Sequence, residues 1–227
     1  MRELGVPMLP NFKLNLKPPE TMEPITTPLP VKKARRWNSP YDALELEPVV
    51  SVFMTQPAYS RICVHSVSDM YNEVGGMMVG EWCIDENGRQ FIIVEHAIPA
   101  QHTLQSSVHL TFTQDSLVEI HKEIDTHFKG MKIVGWYHTH PRMGVFLSHY
   151  DTWLHEHFFP EPWQVALVIE PHSAIGGIFI RQQNGHFDPS RYFGFHELDG
   201  NFGRSMVFWK NLSLHQEEEE EGVNRYE

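Results

Sequence analysis

The chain has 227 residues, 41% of them hydrophobic and 12% aromatic, which suits one full domain with arms and is tight for two. Its 18 Lys and Arg against 29 Asp and Glu give a formal charge of −11. That balance argues against a general binder of phosphate backbones, which needs a basic face. Two cysteines, Cys63 and Cys83, cannot staple a disulfide scaffold, so a reducing compartment is expected, with the cytoplasm as the default. No run approaches the ~18 apolar residues of a membrane helix, and the N-terminal segment lacks the apolar centre of a secretory signal. The count that stands out is 15 histidines, because histidine is the commonest metal ligand and carries protons near neutral pH.

In chain order, residues 1–46 read as a proline-rich extension. Pro7, Pro10, Pro18, Pro19, Pro24, Pro28 and Pro30 interrupt any helix or central strand there. Lys32, Lys33, Arg35 and Arg36 form a short basic cluster, read as solvated linker. One domain is expected over 47–212, then an acidic tail over 213–227 with an uninterrupted glutamate run at 217–221, read as solubilising. Within the domain, 49–54 predicts a short strand and 60–70 a helix. Residues 74–83 and 90–98 predict two strands joined by a turn at Asp85-Glu86-Asn87-Gly88, with Met77 and Met78 as core filler.

A third strand is predicted at 109–113 by alternation. Residues 114–128 then carry Leu117, Ile120, Ile124 and Phe128 at helical spacing. An apolar strand at 132–137 leads into histidines, and 148–159 predicts a helix with the stripe Tyr150, Leu154, His157 and Phe158. Strands at 163–169 and 175–182, and a last one at 192–198, complete the series. Interleaved strands and helices predict an α/β or α+β fold, a mixed sheet flanked by helices.

The informative segment runs from His138 through His140 to Ser148 and Asp151. Two histidines two apart on a strand share a face, so one cation can take a nitrogen from each. Asp151, in the first turn of the next helix, can add an oxygen. Two histidines and one carboxylate leave a fourth tetrahedral position for water, as a catalytic zinc site requires. Singly, each residue has a plainer reading: Ser148 and Asp151 form a near capping box, and the histidines could simply end a strand. Together they make a specific four-residue pattern.

That pattern resembles the JAMM motif of the MPN (Jab/Mov34/PAD-1) metalloproteases, the family of the proteasome-lid and endosomal deubiquitinases. The apolar strand before His138, Pro141 after His140, and Phe146-Leu147 before Ser148 resemble it too, as does the stretch from Asn72 and Glu73 to Gly80. Val145 departs from the cysteine that many eukaryotic members carry there. The resemblance implies a cytidine-deaminase-like mixed sheet with a zinc site at a strand end, one Zn2+ per chain held by His138, His140 and Asp151. A carboxylate must move the proton of the attacking water. Composition alone leaves Glu73, Glu81 and Glu95 open, and the family pattern puts the role on Glu73. It also implies that Ser148 donates to the oxyanion of the tetrahedral intermediate. Met143, Val145 and Phe146 border the site, where they either line a substrate groove or pack inward.

The function implied is a zinc-dependent isopeptidase or peptidase. It would cut after the C-terminal tail of a ubiquitin or ubiquitin-like protein, bound as an extended strand. A prokaryotic ubiquitin-like deconjugation system would suit the length and composition, with a subunit of a eukaryotic complex as the other reading. Neither nucleic acid nor membrane is expected as a partner. The loops at 99–108 and 185–203 are short, so substrate choice would call on a partner protein, an oligomer or the arms. Two alternatives are a non-catalytic MPN scaffold, which would typically lose ligands, and a RadC-like protein of DNA maintenance, against which the net acidity speaks. His155 and His157 lack the four-residue separation of a zinc helix and read as the polar face of a surface helix. His109, His121, His127, His172, His186 and His196 read as surface or hydrogen-bonded core residues.

Overall fold

The computed structural model describes residues 22–42, 44, 47–101, 104–105, 110–198 and 203–215. The segments 1–21 and 216–227, with the glutamate run, lie outside the described residues, and so does His109. In chain order the elements are β1 (Ile25–Thr26), β2 (Ala34–Asn38), β3 (Ser51–Thr55), α1 (Gln56–Ser66), β4 (Gly75–Ile84), β5 (Gln90–Pro99), β6 (Leu104–Gln105), β7 (Leu110–Thr111), α2 (Gln114–His127), β8 (Lys132–Thr139), α3 (His149–Phe158), β9 (Val165–Glu170), β10 (Ile175–Phe179), β11 (Phe195–Leu198) and β12 (Ser213–Leu214). They form the expected mixed α/β arrangement. A curled sheet runs in the order β10-β9-β8-β4-β5-β3-β11-β2-β12, with β1 added beside β4, and β6 pairs with β7 apart from it.

β4 lies antiparallel between β5 and β8, joined to β5 by the expected turn. Asp85 shapes that turn: its Oδ1 accepts from the N–H of Asn87 at 2.9 Å and of Arg89 at 2.8 Å, while Gly88 adopts φ 79°. β8 and β9 run parallel, and every residue of β9 is buried, as a parallel strand covered on both faces should be. Gly76 on β4 is required by close approach, because a Cβ would meet the Ile98 carbonyl and the Tyr137 ring. Met77 and Met78 lie in the core as read.

The helices cover both faces. α1 packs on the side to which Tyr137 points, where its His65 Nδ1 lies 2.9 Å from the Tyr137 hydroxyl. α3 covers the side of Trp136 and His138, and shares an apolar pocket there with α2 through Leu117, Trp153 and Leu154. No helix among the described residues is long and apolar enough to cross a membrane.

Three features depart from the expected pattern. α1 begins four residues early, because Thr55 caps it by accepting from the Ala58 N–H at 3.3 Å and Pro57 fits a first helical turn. On α3 the stripe is shifted: Asp151, Leu154 and His155 are buried, while His157 and Phe158 are exposed. The segment read as extension is partly in the sheet. β1 pairs with β4, and the basic cluster supplies β2, which pairs with β11 and β12. Pairing at a sheet edge is made by backbone groups, so no hydrophobic period announces such a strand.

Candidate metal centre

β8 delivers His138 at its end and His140 just beyond it. The His140 N–H donates to the Ile169 carbonyl at 2.8 Å, extending the β8–β9 pairing past the strand. The residue between, Thr139, turns to the opposite face and zips in the segment before β4. Its N–H donates to the Val74 carbonyl at 2.9 Å, and its Oγ1 accepts from the Val74 N–H at 2.9 Å. Glu73 is thereby brought to the histidine side. Upstream, Asp69 Oδ1 shapes the loop by accepting from Tyr71 and Asn72 N–H groups at 2.8 and 2.9 Å.

From the other direction, Ser148 caps α3. Its Oγ accepts from the Asp151 N–H at 3.1 Å, and Asp151 Oδ2 accepts from the Ser148 N–H at 2.7 Å. This capping box holds Asp151 in the first turn. Its carboxylate spans the two histidines, with Oδ1 3.4 Å from His138 Nε2 and Oδ2 3.4 Å from His140 Nε2. The two Nε2 atoms are 3.0 Å apart. Donors 2.0–2.1 Å from a tetrahedral ion lie about 3.3 Å from each other, so these separations and this N, N, O set fit a zinc-type site. His138, His140 and Asp151 are all buried and form the candidate ligand group found among the described residues.

The electrostatics agree with that fit. Burial pushes the His140 pKa down, favouring the neutral imidazole that metal ligation requires. Burial alone would raise Asp151, but the charge of His138 and hydrogen bonds from His138, His140 and Ser148 outweigh it and hold the carboxyl well below its ordinary range. Glu73 is the opposite case: burial pushes it up to about 7, offset in part by His138 and reinforced by Asp151. Its Oε1 lies 3.9 Å from His140 Nε2. Of the three carboxylates left open by composition, Glu73 is thus the one beside the triad. Glu81 and Glu95 interact with each other along the β4–β5 ribbon.

The loop from Pro141 to Leu147 links His140 to the cap of α3. Arg142 takes a left-handed conformation (φ 64°) with its N–H donated to Glu170 Oε1 at 3.0 Å, and Gly144 follows at φ 89°. Phe146 is partly exposed, with its ring 4.8 Å from that of His140. Val145 is half-buried against the core, and Met143 is half-buried with its N–H donated to the His140 carbonyl. Phe146 therefore borders the histidine end of the site, Val145 packs inward, and Met143 is tied to His140 through its backbone.

Residues 47–159 match the family model described as JAB1/Mov34/MPN/PAD-1 ubiquitin protease. The chain belongs to the JAB/MPN family. It is 42% identical over 125 residues to the NAD(+) hydrolase TcpA of a Theionarchaea archaeon, a match covering 55% of this chain and 35% of that protein. It is 34% identical over 118 residues to COP9 signalosome complex subunit 5 of Caenorhabditis elegans, covering 50% of this chain and 30% of that one. The chain thus spans about a third of the length of the curated relatives it matches. A solution structure of a Desulfitobacterium hafniense protein is 22% identical with a TM-score of 0.44, over 62% of this chain and 91% of that one.

In this MPN domain, two supports of the triad escape sequence reasoning. Trp136 lies flat on the His138 imidazole, 4.5 Å between centroids and 8° between planes, and its Nε1 donates to His155 Nδ1 at 3.1 Å. His155 is therefore no surface residue. It is fully buried, and burial pushes its pKa down to about 3, so it stays a neutral acceptor. Glu170 is the second support, accepting from the N–H groups of Arg142, His172 and Ser173. A Trp two residues before a candidate ligand His on the same strand face was the one available signal for the first. Nothing local signalled the second.

Proposed function

We propose that the chain is a zinc-dependent isopeptidase or peptidase that hydrolyses the bond after the C-terminal tail of a ubiquitin or ubiquitin-like protein. The observation that carries this reading is a buried His-His-Asp triad with a second carboxylate, Glu73, within 3.9 Å of one of its nitrogens. His138, His140 and Asp151 would hold the ion, one per chain. Zinc bound there supplies Lewis acidity and lowers the pKa of water toward ~7. Glu73 takes the proton of the attacking water at its carboxylate and passes it to the leaving amine. A raised pKa suits that task, since an acid–base group works best when poised near the operating pH.

Ser148 uses its oxygen lone pair in the cap, which leaves the hydroxyl proton to donate to the oxyanion of the tetrahedral intermediate. Met143 and Phe146 border the path of the extended tail, and Val145 supports them from below. The family model's description as a ubiquitin protease supports this substrate class. The NAD(+) hydrolase name belongs to a protein of which 65% lies outside the match, given 35% coverage.

The test is cleavage of a panel of ubiquitin-like fusions by purified, zinc-loaded chain, beside Glu73→Gln and a chelated control. Cleavage lost in both controls supports the reading. No cleavage of any fusion, together with NAD(+) consumption that survives Glu73→Gln and chelation, would overturn it.

A further inference from the structure

We propose that Arg142 is a specificity residue at the candidate metal centre, a reading that rests on the peptidase function above: its guanidinium pairs with an acidic side chain of the substrate near the cleaved bond. Residues 140–143 form a tight turn, in which the Met143 N–H donates to the His140 carbonyl at 3.1 Å. Pro141 takes the second position and Arg142 the third, at φ 64°. A proline followed by a residue at positive φ is the type II pattern, whose third position favours glycine because a Cβ is crowded there. Gly88 and Gly144 take the same region of backbone space, and the other non-glycine described there, Ala174, carries only a Cβ. Arg142 is thus the one long side chain held at positive φ among the described residues. Glu170 holds it there: this buried carboxylate accepts from the Arg142 N–H at 3.0 Å and the His172 N–H at 2.9 Å through Oε1. Strain of this kind persists where the surroundings enforce it, and it clusters at active sites and ligand clamps.

Glycine would serve this backbone better, so the use of an arginine lies in its side chain. Arg142 is exposed, and its guanidinium has no hydrogen bond or ion pair with any described residue. Arg36, Arg89 and Arg191, by contrast, pair with Asp42, Asp85 and Asp188. Consecutive Cα atoms are 3.80 Å apart, so the Arg142 Cα lies within about 7.6 Å of that of His140. The cation is therefore anchored beside the candidate ligands, in the same loop as Phe146, whose ring is 4.8 Å from that of His140. On a chain of formal charge −11, it favours an anion brought from outside. A guanidinium matches a carboxylate in a bidentate pair, which an ammonium cannot reproduce. The bond cut is internal to the conjugate, so the carboxylate on offer is that of an Asp or Glu side chain close to it.

The test uses the zinc-loaded full chain and linear fusions in which Glu, Gln or Lys is placed in turn at each of the three residues on either side of the cleaved bond. At one position Glu should raise kcat/KM about five-fold over Gln, the upper range for an exposed ion pair, and chiefly through KM. Arg142→Glu should invert the order there, so that Lys is cleaved better than Glu. Arg142→Gly suits φ 64° and should raise the melting temperature by about 2–4 °C, which shows the turn intact, while Glu and Gln become equal. Calorimetric binding of the same fusions to the Glu73→Gln chain should give the same ranking without turnover. Equal rates for Glu and Gln at every position in the unaltered chain, or a Glu preference that persists in Arg142→Gly, would overturn the proposal. Failure to cleave any fusion would instead overturn the peptidase reading, and this inference with it.

Discussion

His138 and His140 lie two residues apart at the end of β8, and their Nε2 atoms come within 3.0 Å. His155 and His157 have the same spacing on α3, where one is fully buried and the other exposed. The backbone period explains the difference. Residues two apart share a face on a strand but fall on nearly opposite sides of a helix. Only the first pair can serve one ion. The second divides its labour, with His155 turned inward to accept from Trp136 under His138 and His157 left to bond its own helix through the Trp153 carbonyl at 2.7 Å.

The largest effect should come from the carboxylate beside the strand pair. Glu73→Gln is expected to slow cleavage roughly a hundred- to ten-thousand-fold, the usual contribution of a positioned acid–base group, while bound zinc measured by elemental analysis stays unchanged. Loss of zinc together with activity would make Glu73 a structural neighbour instead. Next, His140→Ala should weaken zinc binding, read by chelator competition, beyond the roughly 10–100-fold that loss of an outer partner costs. His157→Ala should leave it alone, and a matching loss in both variants would erase the distinction between the pairs.

A smaller contrast lies in stability. His155→Leu strands the buried Trp136 indole N–H and should cost about 1–3 kcal/mol in chemical denaturation, against roughly 0.5 kcal/mol or less for the exposed His157→Ala. The smallest effect concerns pH in the chelated chain. Glu73, raised to about 7 by burial, contributes stability that is complete below the unfolded carboxylate value near ~4.3. That stability is lost as pH rises through 7. Asp151, held low despite its burial, behaves oppositely and loses its contribution only in acid. Melting temperature should therefore fall between about pH 4 and 7, and Glu73→Gln should flatten that fall; a parallel slope in the variant would deny Glu73 its raised pKa.

Much of the central frame was legible because long amphipathic or apolar runs carry their own period. α2, β4, β5 and β8 fall within a residue or two of where alternation and three-four spacing put them. The edges were not. β2 and β12 are short, flanked by prolines or charges, and held by backbone pairing to strands distant in the chain. α3 misled for a related reason: its buried face includes a histidine and an aspartate, which count as polar in any hydrophobic stripe.

Sequence alone determined the ligand types and their spacing, since a strand period of two puts His138 and His140 on one face whatever surrounds them. It also placed Asp151 three residues into a capped helix, because a Ser-x-x-Asp pattern closes on its own backbone. Only the tertiary structure decided that Trp136 and His155 brace the triad and that β2 pairs with β12; it also set Glu73, already singled out by the family pattern, beside the histidines. Those outcomes depend on contacts between segments tens to more than a hundred residues apart. Such contacts arise when β4 is zipped to β8 and β2 to β12, and no local pattern encodes them.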